Sequence, residues 1–208
     1  MVRVKICGIT NVTDALMVAD AGADALGFVF VEGSSRYVDP VKVSQIRRHL
    51  PPSLCLVGVF ADSPLEMVRR IKEECHLTAI QLHGSESPAY CASMEKPVIK
   101  AFRIKDQESL VALAPYQDQV EALLLDSDHL GSLGGTGKTF DWHLAWRARI
   151  YGRMILSGGL NPGNVAQAIE QVRPYAVDVS TGVEERPGKK DEGKVRRFLE
   201  EVQRAKAD

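Results

Sequence analysis

Four short stretches of this chain set reactive or anion-binding groups beside glycines or at the ends of apolar runs. KICGIT (5–10) places a thiol, Cys7, directly before Gly8 where the first apolar run gives out, and ALLLD (122–126) closes another run with Asp126. LSGGLNP (156–162) and DVSTGVE (178–184) follow apolar runs with small residues and free backbone donors. A thiol can act as nucleophile or base, because its ordinary pKa lies near 8.5 and a modest shift gives useful thiolate at neutral pH. A carboxyl at a strand end inside a pocket can have its pKa raised by desolvation, which suits a general acid. Plainer readings compete with both: a buried cysteine is usually a small core residue, and the aspartate could be solvated or cap the next element.

The two glycine-bearing stretches point to an anion. Gly158 and Gly159 let backbone N–H groups approach a bound group closely, and a helix N-terminus beyond them adds partial positive charge. Ser180, Thr181 and Gly182 offer a second set of small residues and donors. Arg36, in SSRYVDP (34–40), is a candidate clamp for a carboxylate, since guanidinium pairs with it through two parallel hydrogen bonds; an exposed loop arginine is the alternative. His83, in QLHG (81–84), reads as a hydrogen-bonded structural imidazole, with a rim acid–base or substrate-loop role as the alternative. GGTGKT (134–139) invites comparison with a P-loop, but that pattern needs glycine where Ser132 stands. The 128–139 segment is instead expected to be a mobile active-site loop, with Gly134 and Gly135 near the substrate. No His and carboxylate cluster has ligand spacing, so no metal is expected.

Something must bring these scattered residues together. Apolar runs recur at 4–9, 25–30, 54–60, 79–84, 97–104, 122–127, 154–159 and 176–182, each ending in or near Gly, Asp or Ser. Their near-continuous apolar character fits strands of a parallel sheet buried on both faces. Between them lie amphipathic stretches with helix start signals. Asn11 is the expected cap of the first, with Gly22 as its stop. Ser63 with Pro64 opens another, and Asn161 with Pro162 a third. Val195, Phe198, Leu199 and Val202 give the last one, about 192–205, its apolar face.

Eight such units ending in a helix predict an α/β chain folded as a single-domain (β/α)8 TIM barrel with short loops over residues 1–208; an open doubly wound sheet is the competing architecture. In a barrel the eight strand ends share one rim, where active sites of this fold lie, and the turns after the last two strands recurrently bind phosphate. Cys7, Arg36, His83, Asp126 and both glycine turns would then converge.

Composition removes other classes. With 45% hydrophobic and 25% charged residues the chain has an ordinary globular make-up. Its 26 basic and 27 acidic residues are dispersed, which speaks against a nucleic-acid surface. No run approaches the roughly 20 apolar residues of a membrane helix, and no signal peptide is visible, so no membrane partner is expected. Cys7, Cys55, Cys75 and Cys91 are widely spaced, without zinc or disulfide patterning, which implies a reducing, cytoplasmic setting. Cys55, Cys75 and Cys91 read as structural, and Trp142 and Trp146 as packing.

Taken together, KICGIT, GADALGFVF, SSRYV, VGVF, QLHG, LLLDS, GGTGKTFDW, LSGGLNPGNV and DVSTGVE resemble the phosphoribosylanthranilate isomerase family of tryptophan biosynthesis, in order and on nearly every strand. Thr181 stands where the family usually has serine, keeping a hydroxyl and adding a methyl group. The resemblance implies an aldose–ketose isomerase acting by general acid–base catalysis on a small phosphosugar–anthranilate substrate, without cofactor or metal, as a monomer or homodimer. It implies Asp126 as acid, a partly exposed Cys7 as base, Arg36 on the anthranilate carboxylate, and Gly158, Gly159, Ser180 and Gly182 on the phosphate.

Overall fold

The computed structural model describes residues 2–127 and 141–205. The expected loop positions Gly134 and Gly135 lie outside the described residues. Eight parallel strands close into a barrel: β1 (Arg3–Cys7), β2 (Ala25–Val29), β3 (Cys55–Phe60), β4 (Ala79–Leu82), β5 (Val98–Ile104), β6 (Ala122–Ser127), β7 (Met154–Leu156) and β8 (Ala176–Val179). Closure is explicit, because β1 pairs with β2 on one side and with β8 on the other, with Lys5 opposite Asp178. The open doubly wound alternative is thereby excluded.

Strands stop earlier than the apolar runs suggest. The run 154–159 yields only Met154–Leu156 as strand, because Gly158 and Gly159 take positive φ of 81° and 70°, which no ladder accommodates. The same residues thus leave the sheet and become a turn at the rim.

Seven α-helices appear among the described residues: α1 (Val12–Asp20), α2 (Pro40–Arg47), α3 (Leu65–Glu74), α4 (Pro88–Ala92), α5 (Trp142–Ala148), α6 (Val165–Val172) and α7 (Glu192–Arg204). Between β5 and β6 the chain instead forms a 3-10 segment, Glu108–Tyr116, containing Pro115, which has no amide donor to give. Asn11 caps α1 as expected, its side chain accepting from the Asp14 N–H at 2.8 Å. Two caps differ from expectation. Ser63 is not the cap of α3: Pro64 occupies that position with no side-chain bond, and the Ser63 hydroxyl donates to the Ala61 carbonyl. Asn161 is displaced from α6 by one turn, and Asn164 stands at the cap. Asn161 instead folds the preceding turn, accepting from Gly163 N–H and donating its own N–H to Asn164 Oδ1, both at 2.8 Å. No helix among the described residues is long and apolar enough to cross a membrane.

Side-chain parity divides the molecule into layers, since successive strand residues face opposite ways. Outward-facing residues such as Ile6, Leu26, Phe28, Leu56 and Leu123 pack with the helices into the main core. The barrel interior holds a smaller plug of Val57, Ala79, Ile99, Ala101, Ala122, Leu124, Ile155 and Ala176. Above that plug, at the strand C-termini, the same inward parity brings Cys7, Gln81, Arg103, Asp126 and Asp178 to one end. A two-stranded hairpin, β9 (Glu184–Arg186) and β10 (Lys189–Lys190), follows β8 and leads into α7.

Candidate active site

The rim above the plug encloses a cavity of about 320 Å³, within the range usual for small-molecule sites. Cys7, Arg36, His83, Asp126, Gly158, Gly159, Ser180 and Gly182 all line it, so every described residue singled out from the sequence is brought to one place. Among the described residues, no group of three His, Cys, Asp or Glu side chains is arranged to hold a metal ion.

Cys7 ends β1 facing inward and is 8% exposed, more buried than the partly exposed thiol expected. Its fit depends on β2: a Cβ at Gly27 would stand 2.7 Å from the Cys7 sulfur and 3.0 Å from its Cα. The thiol also titrates against expectation. Burial pushes it above its ordinary range, Lys5 and Lys190 pull it down, and the Asp178 carboxylate adds to the rise; the net direction is upward. Cys75 and Cys91, deep in the outer core, are pushed up to about 11 by burial and stay inert.

Across the cavity Asp126, 9% exposed, uses its two oxygens differently. Oδ1 accepts from the Ser127 N–H at 2.8 Å, whereas Oδ2 lies 3.5 Å from His83 Nε2. His83 is held from behind by the Gln81 side-chain amide, 3.1 Å from Nδ1. The imidazole is therefore hydrogen-bonded, as the structural reading expected, and stands at the rim. Gln81 Oε1 is buried and has no partner among the described residues.

Arg36 does not hang free in its loop. Its Nε and Nη2 grip Glu184 Oε1 and Oε2 at 2.9 and 2.7 Å, and Nη2 also reaches the Thr181 hydroxyl at 3.3 Å. Lys190 Nζ joins the same carboxylate at 3.0 Å. Burial opposes the charge on Glu184, but Arg36 and Lys190 more than offset this and hold its carboxyl below the usual range. Two cations sharing one carboxylate leave this corner with surplus positive charge, suited to an anionic ligand group. The hairpin is fixed in turn by Asp14 of α1, which accepts from Lys189 Nζ at 2.5 Å and Lys190 N–H at 2.8 Å.

Between these corners lie the two turns. Among the described residues the backbone N–H groups of Gly158 and Gly159 find no main-chain acceptor, and the buried Ser180 hydroxyl has no partner. Donors left open around one concavity are what a phosphate requires. Two glycines are sterically enforced: a Cβ at Gly158 would stand 2.4 Å from the Ser127 nitrogen, and one at Gly182 would stand 1.9 Å from the Leu160 carbonyl oxygen. The turns after β7 and β8 are thus pressed backbone to backbone. Gly182→Ala is expected to force them apart, costing about 1–3 kcal/mol of stability as overpacking does. Denaturant unfolding measures that loss, and calorimetric titration with inorganic phosphate should show weakened binding in the same variant.

Lys5, Gln81, Arg103, Asn161 and Asp178 were not singled out as site residues from the sequence, yet all but Lys5 line the cavity and Lys5 pairs with Asp178 beneath it. Inward parity was the available signal: Lys5 and Cys7 are two apart on one strand, as are Gln81 and His83, and Asp178 and Ser180.

Comparison with known proteins adds an independent line. The family described as PRAI, N-(5'phosphoribosyl)anthranilate (PRA) isomerase, matches residues 4–201. An N-(5'-phosphoribosyl)anthranilate isomerase of Geobacter sp. (strain M21) is 54% identical over 204 residues, covering 98% of this chain and 99% of that protein. The crystal structure of phosphoribosyl anthranilate isomerase from Thermotoga maritima superposes with a TM-score of 0.92 at 43% identity, covering 98% of this chain and 99% of that one. A crystal structure of a phosphoribosyl anthranilate isomerase in complex with reduced 1-(o-carboxyphenylamino)-1-deoxyribulose 5-phosphate gives a TM-score of 0.89 at 41% identity with the same coverage.

Proposed function

The chain belongs to the N-(5'-phosphoribosyl)anthranilate isomerase family, and on that premise we propose that Asp126 and Cys7 serve as its acid and base while Arg36 and the two glycine turns hold the substrate's anionic ends. The activity is an aldose–ketose isomerisation of L-tryptophan biosynthesis: N-(5'-phosphoribosyl)anthranilate becomes 1-(2-carboxyphenylamino)-1-deoxyribulose 5-phosphate by an Amadori rearrangement.

The single observation that carries the assignment of roles is the convergence of Cys7 and Asp126 on a cavity with open donors at one end and a cationic corner at another. With the phosphate on Gly158, Gly159, Ser180 and Gly182, and the anthranilate carboxylate on the outer edge of Arg36, the ribose lies between acid and base. Asp126 protonates the furanose ring oxygen through Oδ2, the oxygen not committed to Ser127, and the ring opens to a protonated Schiff base. Cys7 then takes the proton from sugar C2. The C–H electron pair forms the C1–C2 double bond, the iminium nitrogen receives the displaced pair, and the enolamine tautomerises to the ketone. His83 stays beside Oδ2, where it orients the acid. Glu184 pre-orients Arg36, so little side-chain freedom remains to be lost on binding.

In this reading residues 1–208 form one domain that works in the cytoplasm as a monomer or homodimer, with the small phosphosugar as its partner. Substrate generated in the cuvette and followed by loss of its fluorescence tests the scheme. Wild-type protein should consume it. Arg36→Met should raise KM about 10- to 100-fold, the range lost with a hydrogen bond to a charged group, and leave kcat far less changed. No consumption by wild type would overturn the activity, and an unchanged KM in Arg36→Met would remove the carboxylate contact.

A further inference from the structure

We propose that Lys5 is the positioning residue that equips Cys7 to act as a base: its ammonium, clamped by Asp178, is the built-in counter-ion of the Cys7 thiolate. The inference rests on the base role given to Cys7 above.

Lys5 and Cys7 alternate with outward-facing Ile6 on β1, so both side chains enter the barrel on the same side. Asp178 is the register partner of Lys5 on β8, and its Oδ1 holds Lys5 Nζ at 2.8 Å. Both groups are buried, Lys5 to 4% and Asp178 to 5% exposure, directly above an interior plug otherwise made of Ala, Val, Leu and Ile. A buried ion pair is weak support for a fold, since well-packed apolar residues of similar volume often do as well. The pair therefore calls for another reason, and the thiol beside it supplies one.

The elements packed around Cys7 differ in the charge they bring. Its own strand brings Lys5, β8 brings Asp178, and the hairpin brings Lys190; β2 and β3 contribute Gly27, Val29 and Val59, which carry none. Lys190 is already committed to Glu184 and to the Ser180 carbonyl. Lys5 Nζ, held by Asp178 on the same inward face of β1 as Cys7, acts on the thiol by its charge. The influence is mutual. Burial works against the Lys5 charge, yet Asp178 and Cys7 together keep its ammonium above the ordinary lysine range. Lys5 thus remains charged while Cys7 cycles: the thiol releases its proton to solvent, the thiolate stands against the ammonium, and taking the C2 proton restores S–H.

The test is the pH dependence of iodoacetamide attack on Cys7, read by peptide mass spectrometry so that Cys55, Cys75 and Cys91 are scored separately. Lys5→Met removes the charge, and Lys5→Met with Asp178→Asn removes it without leaving a bare buried carboxylate. In both, the alkylation midpoint of Cys7 should rise by at least about one pH unit, a tenfold loss of thiolate at any pH below it. The rising limb of kcat/KM should move to higher pH by the same amount, a displacement that a merely structural lysine would not produce. A midpoint unmoved in the folded double variant would overturn the proposal. Unaltered protein gives a second reading: with 13C-labelled lysine, one resonance should shift at the Cys7 midpoint and lose that step in Cys7→Ala. Absence of such a resonance would also overturn it. The alkylation readout needs no turnover, so an active Cys7→Ala enzyme would sink the base role while the Lys5 measurement still stood by itself.

Discussion

Cys7→Ala is expected to lower kcat by at least ~100-fold, the lower end of what a positioned general base contributes. The substitution removes one sulfur atom from a site where Gly27 already leaves room, and it adds no bulk, so the barrel should remain folded. Phosphate binding, which uses β7 and β8, should persist. The pH profile gives the same residue a second signature. Burial holds the thiol pKa above its ordinary value, with Lys5 opposing the rise, so thiolate is the minor form at neutral pH. The base is deprotonated Cys7, so kcat/KM of the wild type should climb with pH until the raised pKa is passed. The residual rate of Cys7→Ala should lack that climb. Steady-state kinetics showing less than a tenfold loss would take the base role away from Cys7.

Asp126→Asn is expected to cost about 100- to 10,000-fold in kcat, since an amide of nearly the same shape cannot deliver a proton to the ring oxygen. The shape matters to the control. Asn keeps a carbonyl oxygen for the Ser127 N–H, and Gly158 leaves the space beside it unchanged, so the β7 turn and its phosphate contacts should be retained. Calorimetric titration with inorganic phosphate should thus give wild-type affinity beside a collapsed turnover number. A kcat within tenfold of wild type would move the acid role elsewhere, with His83 the nearest replacement at 3.5 Å from Oδ2.

Residue type and position at the ends of apolar runs were enough to read the barrel and to place the candidate residues on one rim, because each run is a local property. The strand read over 122–127 is β6 residue for residue, with Asp126 next to its end, and Gly158 and Gly159 mark the turn that carries them. The legibility of Asn161 was partial: the right residue for a helix start, it built a turn one step upstream of the cap. What escaped was non-local. Arg36 reads as a free clamp until Glu184, 148 residues away, is seen to hold it. Lys5 reads as an interruption in an apolar strand until closure sets it against Asp178. The direction of the Cys7 titration depends on how much water the folded rim admits, which no spacing encodes.

The seam where β1 meets β8 has a consequence for how the enzyme comes into being. Lys5 and Asp178 are separated by 173 residues, nearly the whole chain. At about 5–20 residues per second of synthesis, the strand bearing Cys7 waits roughly 10–35 s for the strand that completes its surroundings. Closing so long a loop is entropically slow to nucleate, and it comes after the more local β–α–β contacts have formed. Any nascent or nicked chain lacking β8 therefore carries Cys7 with neither the phosphate turn nor the Asp178 anchor of Lys5. Closure of the barrel is in this sense a late event of folding, and the last barrel strand to be made completes the surroundings of the first.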